Sequence, residues 1–213
     1  MVLVSHSHRF IYIKNMKVAG TSIEAVLDKY VVQSMGSHVV SHATPKSECS
    51  NGICGGRLEI GKVDSRMDAF YNHMTATEVQ RLLPLEFDCY TKVCVVRNPW
   101  DQVLSMYSWL KPKMSAHVTF SMYVQTVTES YDWDRMCVGG LFCMDYVVRY
   151  ESMHGDLQSL SDMLGLKSLP PTPHYKKSEY RDGKSYKDFY DIQSRWHVAK
   201  VFHREIKLFG YAF

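Results

Sequence analysis

The stretch that decides the fold is "RFIYIKNMKVAGTSIEAVLDKYVV", residues 9–32. Its first part, over 9–15, is short, apolar and rich in β-forming side chains, which predicts a strand. From Gly20 onward the apolar residues recur at helical spacing and form one face: Ile23, Val26, Leu27 and Tyr30. The stretch therefore predicts a strand, a tight loop and a helix.

The same pattern occurs twice more along the chain. A buried strand is predicted over 90–97, and Pro99 is placed to open a helix that runs through 101–110. A third strand is predicted over 144–151, followed by a helix over 155–166. Because buried strands that alternate with helices are typical of parallel sheets, we expect an α/β fold. Its predicted form is a three-layer, P-loop-NTPase-like domain with a central, mostly parallel sheet flanked by helices.

Length and composition favour one domain. The chain has 213 residues, 46% of them hydrophobic, which is enough for a full core, so we predict a single domain over 1–213. Two stretches, 33–69 and 112–143, interrupt the pattern as variable insertions: the first reads as irregular, and the second as helices over the sheet edge. Further helices are predicted over 74–84, with Thr75 or Thr77 near the N-cap, and near the end over 190–213.

The charge balance argues against a general nucleic-acid-binding protein. The formal net charge is only +3, although the segment 167–213 carries a positive surplus that can meet an anion. No apolar run approaches the roughly 20 residues of a membrane helix, and the start of the chain lacks the apolar core of a signal peptide. We therefore expect no nucleic acid, no membrane segment and a cytoplasmic location.

The six cysteines show neither zinc-site spacing nor the density of a disulfide scaffold. Cys89 and Cys94 lie in or beside an apolar run and are expected to be buried thiols. Cys49 and Cys54 bracket a short loop and are able to pair in an oxidising compartment. Four histidines near the start have no fixed mutual spacing, so no metal is expected: His6, His8, His38 and His42.

The loop after the first strand has the chemistry of an anion site. A loop that opens into a helix presents unpaired N–H groups and the positive end of the helix dipole. Ala19 and Gly20 keep the turn free of bulk, Thr21 and Ser22 add hydroxyl donors, and Lys17 adds a positive charge. The lysine precedes the glycine, unlike in the Gly-Lys-Ser/Thr P-loop that also binds Mg²⁺. The pattern predicts phosphate binding without a metal, and a solvated loop lysine is the alternative.

A second cationic position follows the second strand. Arg97 comes at the end of that strand, and Ser105 lies two turns into the next helix. Because ligands of open α/β sheets bind outside the carboxyl ends of the strands, we expect Lys17 and Arg97 at one rim, bridged by a nucleotide phosphorylated at both ends. Two alternatives are open: Arg97 pairs with Asp101, and Ser105 bonds back to the carbonyl four residues earlier.

These two motifs carry a family resemblance. "KVAGTSIEAVL" (17–27) with "VVRNPWDQVLSMYSW" (95–109) resembles the membrane-type carbohydrate sulfotransferases, the heparan sulfate 2-O-like group within sulfotransferase family 2. "NHMTATEVQRLL", "YVVRYESM" and "EIKLFGYAF" also resemble family positions, so the likeness covers most of the chain outside 33–69 and 112–143. The resemblance implies the donor 3′-phosphoadenosine 5′-phosphosulfate (PAPS), the product 3′,5′-ADP (PAP) and no required metal.

The resemblance also implies site residues. Lys17 contacts the 5′-phosphosulfate and stabilises the leaving oxygen, and the loop continues around the 5′-phosphate through Val18, Ala19, Gly20, Thr21 and Ser22. By the same resemblance, Arg97 and Ser105 bind the 3′-phosphate. Lys177 and Ser178 belong to a segment that closes over the nucleotide. Two positions depart from the family pattern: Val18 replaces a common threonine donor, and Gln102 replaces a common arginine, where a surface charge is missing.

Sulfuryl transfer also requires a group that removes the proton of the acceptor hydroxyl. His73 is the candidate base, because it precedes the 74–84 helix in a region where the resemblance puts a catalytic histidine. Glu78 and Glu24 are the alternatives. The function expected is PAPS-dependent O-sulfotransfer to a hydroxyl acceptor, most simply a saccharide, with 33–69 and 112–143 shaping its pocket. A P-loop small-molecule kinase and an inactive nucleotide- or glycan-binding module are the rival functions.

Overall fold

The structure is a computed structural model that describes residues 2–31, 47–55, 70–167, 169–171 and 179–213. The strands are β1 Leu3–Ser5, β2 Phe10–Ile13, β3 Ser47–Cys49, β4 Gly52–Cys54, β5 Thr91–Val96, β6 Cys137–Val138, β7 Leu141–Phe142 and β8 Tyr146–Arg149. The helices are α1 Gly20–Leu27, α2 Ala76–Leu82, α3 Pro84–Cys89, α4 Pro99–Leu110, α5 Phe120–Gln125, α6 Met153–Leu164, α7 Ile192–Val201 and α8 His203–Phe209.

The chain divides into two compact units, which are described separately. Unit 1 comprises Met1–Val96 and Asp134–Tyr175, and unit 2 comprises Arg97–Trp133 and Lys176–Phe213. Strands and helices together confirm the α/β class. The sequence-based expectation of one sulfotransferase domain over 1–213 stays a prediction.

Unit 1 is built on a six-stranded sheet in the order β3-β4-β1-β2-β5-β8. The predicted strands β2, β5 and β8 pair in parallel, but β1 runs antiparallel to both β2 and β4, and β3 is antiparallel to β4. The sheet is therefore mixed, and the expectation of a mostly parallel sheet is wrong. The antiparallel half was missed because β1 is only three residues long and β3–β4 falls within 33–69, which was read as irregular.

The core of unit 1 lies between the central strands and two helices. Every residue of β2 is fully buried, and its Phe10 and Tyr12 pack in one cluster with α1 and α6. Ile11 and Ile13, which point to the opposite face, are buried as well. Strands covered on both faces read as continuous apolar runs, so the sequence located them reliably. The predicted apolar face of α1 is confirmed by Ile23, Val26 and Leu27, all with zero exposure.

The segment predicted as one helix over 74–84 forms two short helices. Thr75 is the N-cap of α2 and forms a capping box with Glu78, in which side chain and main chain hydrogen bond reciprocally. Pro84 then stands at the first position of α3, where its missing N–H costs nothing. A proline inside an apolar helical pattern thus ended one helix and opened another. The stretch 112–143, predicted as a variable insertion with helices over the sheet edge, also contains the β6–β7 hairpin of unit 1, which was not predicted.

All six cysteines are free thiols. Cys94 is buried in β5 as predicted, but Cys89 is exposed at the end of α3, because it lies beside the strand rather than within it. Cys49 and Cys54 lie on the two strands of the β3–β4 hairpin and are not paired with each other. Among the residues that the structure describes, no helix is long and apolar enough to cross a membrane.

Unit 2 is helical and closes around aromatic side chains. The predicted helix after Pro99 is confirmed as α4, and the predicted terminal helix forms as two, α7 and α8. Phe213 stands at the centre of an aromatic group, with ring centroids 5.5 Å from Trp100, 5.5 Å from Tyr190 and 5.8 Å from Tyr186. The Arg195 guanidinium lies 4.5 Å from the centroid of the Phe213 ring. These edge-to-face and cation–π contacts hold the end of the chain in unit 2.

Replacing Phe213 with alanine is therefore expected to lower the free energy of unfolding by about 2 kcal/mol, less than for a fully buried phenylalanine because the ring is half-buried. Chemical denaturation followed by tryptophan fluorescence measures the change. Ile192→Ala in the same unit removes a side chain that is 72% exposed and is the control, with an expected change below about 0.5 kcal/mol. Equal effects of the two substitutions would contradict the anchoring role.

Candidate functional site

The loop of interest in unit 1 connects β2 to α1. Residues 14–19 turn the chain from the end of a buried parallel strand into the first turn of the helix. Asn15 begins this loop and is almost fully buried, and its Nδ2 donates to the Val95 carbonyl oxygen on β5 at 3.0 Å. This side-chain bond continues the β2–β5 pairing past the last strand residue, so the loop starts from a fixed point.

The backbone of this loop presents unpaired donors. Lys17 and Ala19 have φ values of 58° and 60°, a left-handed conformation that is uncommon for residues other than glycine. The Ala19 carbonyl accepts from the N–H groups of Ser22 and Ile23 and closes the first helical turn. The amides of 18–21 have no main-chain acceptor within the described part of the chain. Left-handed residues followed by right-handed ones form a concave nest of N–H groups, which suits an anion.

The side chains of the loop divide into buried and accessible ones. Val18 is fully buried in the core of unit 1, so only its main chain is able to contact a ligand. Lys17 and Thr21 are half-buried, and the Thr21 hydroxyl makes no hydrogen bond to the residues that the structure describes. Ser22 is buried, and its amide already bonds to Ala19. The loop thus offers main-chain donors, one hydroxyl and one ammonium group.

A buried ion pair that the sequence reasoning missed lies beside this loop. Lys14 Nζ donates to Glu24 Oε2 at 2.9 Å, and the two side chains are only 8% and 2% exposed. A Cβ added to Gly20 would lie 2.9 Å from both Cγ and Cε of Lys14. Glycine is therefore required at position 20 because the lysine side chain passes over it. The signal in the sequence was a glutamate next to Ile23, on the buried face of α1.

His73 lies in unit 1 with one ring nitrogen engaged. Its Nδ1 is 3.1 Å from the Lys14 carbonyl oxygen. Because a carbonyl only accepts, Nδ1 carries the proton, and the neutral ring presents an unprotonated Nε2. Burial, then the Lys14 ammonium, lowers the pKa of His73 to about 3, from an ordinary value of 6.5. The imidazole is neutral at physiological pH, which is the state that a proton acceptor requires.

The two carboxylates considered as alternative bases are both engaged. Glu78 closes the capping box of α2 and accepts a further hydrogen bond from the Tyr71 hydroxyl. Despite its partial burial, these hydrogen bonds lower the pKa of Glu78. Glu24 is buried against Lys14. Both carboxylates are thus occupied by partners, whereas His73 uses only Nδ1 and makes no hydrogen bond through Nε2 to the described residues, so His73 is the candidate with an open acceptor atom.

In unit 2, Arg97 lies in a charged cluster. Its Nε donates to Asp101 Oδ2 at 2.7 Å, and both side chains are nearly buried, so the pairing that was considered as an alternative to phosphate binding is present. Arg181 donates to the other carboxylate oxygen, Oδ1, and to the Asp101 carbonyl oxygen. Two guanidinium groups thus share one carboxylate, and these contacts orient both Arg97 and Arg181.

Ser105 and Gln102 both lie on α4, but their side chains differ in hydrogen bonding and burial. The Ser105 hydroxyl is half-buried and makes no hydrogen bond within the described residues, whereas Ser108 bonds back to the Leu104 carbonyl at 2.8 Å. The back-bonding alternative for Ser105 is therefore not observed. Gln102 is buried and donates to Asp132 Oδ2 at 2.6 Å, so position 102 is not the surface position that the sequence suggested.

The structure does not show how some of the predicted site residues lie relative to one another. Lys177 and Ser178 lie outside the described residues, as do His38 and His42. Lys17 belongs to unit 1 and Arg97 to unit 2, so their common rim stays a prediction, like the ligand roles of all these residues. The part of the chain that the structure describes contains no group of three or more His, Cys, Asp or Glu side chains arranged to hold a metal ion.

Comparison with known proteins adds no assignment. No family model matches the chain, and no curated protein matches it. The motifs and the geometry of the two units are therefore the basis for the function proposed below.

The contact between Gly20 and Lys14 predicts the effect of adding one methyl group. Gly20→Ala is expected to lower the free energy of unfolding by about 2–4 kcal/mol, because the Cβ displaces Lys14 and unpairs a buried charge. Thermal and urea unfolding measure the change. Gly155→Ala on α6 is the matched control: its Cβ meets nothing within 4 Å, and helix propensity predicts a gain of about 1 kcal/mol. A stabilised Gly20→Ala variant would contradict the packing described.

Proposed function

We propose that the chain is a PAPS-dependent O-sulfotransferase whose acceptor is a hydroxyl group, with a saccharide as the first candidate. The observation that carries the proposal is in unit 1. A loop that carries Lys17, and whose 18–21 N–H groups have no main-chain acceptor among the described residues, opens α1; the Lys14 carbonyl in the same loop accepts from a neutral histidine with a bare Nε2. An anion site together with a proton acceptor is what transfer to a hydroxyl group requires.

The proposal extends to the fold. We infer that β2, β5 and β8, with α1 and α6, are the parallel core of a P-loop-like three-layer domain, and that the antiparallel strands extend its edge. Two features support this inference: the three parallel strands are adjacent, and the loop after β2 has the position of a phosphate loop.

Each residue has a role in the proposed reaction. The donor supplies an activated sulfuryl group on a phosphate. Main-chain N–H groups of 18–21 bind the 5′-phosphate, and the Lys17 ammonium neutralises the charge that develops on the leaving oxygen. His73 Nε2 takes the proton of the acceptor hydroxyl as the new S–O bond forms and the S–O bond to the phosphate breaks.

Unit 2 supplies the residues proposed for the 3′-phosphate. The guanidinium groups of Arg97 and Arg181 have the donor geometry that phosphate oxygens accept from, and the Ser105 hydroxyl is an available donor one helix turn after Asp101. A guanidinium held at Nε is pre-oriented, so less side-chain entropy is lost when it binds a ligand.

Donor binding tests the proposal. Calorimetric titration is expected to show tighter binding of 3′,5′-ADP than of 5′-AMP, and Lys17→Ala is expected to weaken 3′,5′-ADP binding about tenfold or more. Ser105→Ala is expected to weaken 3′,5′-ADP about three- to tenfold and leave 5′-AMP unchanged. Lys29→Ala, an exposed lysine beyond α1, and Ser108→Ala, a back-bonded serine on α4, are the controls. Binding of ATP with Mg²⁺ but not of 3′,5′-ADP would replace the proposal with a kinase.

Turnover tests the base. With labelled sulfate on PAPS and a panel of sugars, steroids, phenols and peptides, His73→Gln is expected to lower kcat by about 10²–10⁴ without changing 3′,5′-ADP affinity. His197→Gln is the control, because His197 also bonds through one ring nitrogen to a carbonyl oxygen, that of Val127. Unchanged turnover in His73→Gln would assign the base elsewhere. Donor binding without turnover of any acceptor in the unsubstituted protein would favour the inactive module.

A further inference from the structure

The Lys14–Glu24 pair is an unusual feature for the interior of a small unit. Both side chains are almost completely withdrawn from water and meet at 2.9 Å. Removing two charges from water costs several kcal/mol per ion, and their attraction often does no more than offset that cost. A well-packed apolar pair of similar volume would serve stability at least as well. Stability therefore does not explain why a buried ion pair occupies these two positions, and the contacts of Lys14 and Glu24 point to another role of the pair.

The pair fixes the position of the Lys14 main chain. Lys14 directly follows the last residue of β2, and its side chain runs against Gly20 to reach Glu24 on α1. The side chain has no room to move toward Gly20, since a Cβ there would already be too close. Lys14 is thus held at both ends, by the strand through its backbone and by the helix through its ammonium group.

The carbonyl of Lys14 is the acceptor for His73. His73 Nδ1 lies 3.1 Å from that oxygen, and the His73 carbonyl in turn accepts from Arg135 Nε at 3.1 Å. His73 itself has a φ of 62°, a left-handed conformation that few residues other than glycine adopt. The ring and the backbone of His73 are therefore restrained from two separate elements of unit 1.

We propose that Lys14 and Glu24 form a positioning pair for His73: the buried ion pair holds the Lys14 carbonyl where it selects the Nδ1–H tautomer and leaves Nε2 bare. Neither Lys14 nor Glu24 contacts the acceptor in this proposal, so both are positioning residues. The catalytic consequence rests on the proposed sulfotransferase function, whereas the tautomer and its dependence on the pair do not.

The positive charge of Lys14 adds a second effect. Burial is the main cause that disfavours a protonated ring, and three cationic groups add to it: the Lys14 ammonium, the N-terminal amino group and the Arg135 guanidinium. The hydrogen bond to the Lys14 carbonyl opposes them. Because the folded-state pKa is below the unfolded one, the folded state binds fewer protons between about pH 3 and 6.5. His73 therefore contributes stability above pH 6.5 that is lost as the pH falls through this window.

The proton step balances on these groups. The acceptor O–H bond breaks and an Nε2–H bond forms, which makes His73 an imidazolium. The acceptor oxygen forms the new bond to sulfur as the S–O bond to the phosphate breaks, and the electron pair of that broken bond stays on the phosphate. An imidazolium next to Lys14 is disfavoured, so its proton passes readily to water and the neutral ring is restored. The Glu24 carboxylate balances Lys14, which keeps the cationic neighbour from being an uncompensated buried charge.

NMR of the histidine side chains tests the positioning role without an enzyme activity assay. In the unsubstituted protein, long-range ¹H–¹⁵N spectra of ¹⁵N-labelled histidine are expected to show His73 as the Nδ1–H tautomer, titrating well below pH 6.5. An Nε2–H tautomer would overturn the proposal outright. In the double variant Lys14→Met/Glu24→Leu, which replaces the pair with an apolar one, the His73 titration is expected to move up toward its ordinary value, and the Nδ1–H preference is expected to weaken.

Two further variants keep the test falsifiable if that double variant fails to fold. Lys14→Arg retains the charge and the pairing and is expected to preserve the His73 titration. Lys92→Met breaks another ion pair of unit 1, with Asp145 at 2.7 Å, and is expected to leave His73 unchanged. A His73 titration that moves to its ordinary value in Lys14→Arg would overturn the proposal. An equal response to Lys92→Met and to Lys14→Met/Glu24→Leu would also overturn it, because a general loss of stability would then explain both.

Kinetics separate the positioning role from the proposed function. The Lys14→Met/Glu24→Leu variant is expected to lose about tenfold or more in kcat, with an acid limb of the pH–rate profile shifted to higher pH and an unchanged KM for PAPS. Wild-type kcat and profile in that variant, when folded, would overturn the proposal. An NMR response without PAPS-dependent turnover in any variant would support the positioning pair and remove the sulfotransferase function instead.

Discussion

The close passage of the Lys14 side chain over Gly20 to Glu24 is the constraint on which unit 1 depends. It ties the end of β2 to the middle of α1 across the loop 14–19, and the contact leaves no space for a Cβ at position 20. The loop between these two fixed ends must turn within a few residues, and two of them, Lys17 and Ala19, take left-handed backbone conformations. The nest of N–H groups lies within this loop, and the Lys14 carbonyl oxygen at the start of the loop accepts from His73 Nδ1.

Unit 2 also contains an ion-paired cluster, which is formed by different side chains. Asp101 on the first turn of α4 receives both Arg97 and Arg181, so a single carboxylate organises two guanidinium groups that would otherwise repel each other. The helix itself is fixed independently, because Asn98 caps its start and also donates to the Ala212 carbonyl oxygen near the end of the chain. Charged side chains in both units are thus held by local pairs, which orients them before any ligand is present.

The parts of the fold that were predictable share one physical property. Strands β2, β5 and β8 are continuous or nearly continuous apolar runs, and the helices after them repeat apolar residues at helical spacing, so pattern alone located them. Strand β1 and the β3–β4 hairpin are three residues per strand, too short for a period to be read. Gly52 in this hairpin marks a close approach, since a Cβ there would lie 2.1 Å from the Val4 carbonyl oxygen, but a lone glycine does not reveal its neighbour.

The sequence by itself determined that the chain is α/β, that a loop of small and hydroxyl residues with Lys17 opens the first helix, and that His73 precedes α2. It determined these because each depends on residues close together along the chain. Only the tertiary structure decided that the sheet is mixed, that Glu24 and Glu78 are already paired, that Gln102 is buried, and that Lys14 reaches both Glu24 and His73. Those outcomes depend on contacts between residues distant along the chain, such as the 59 positions that separate Lys14 from His73, and no local pattern records such contacts.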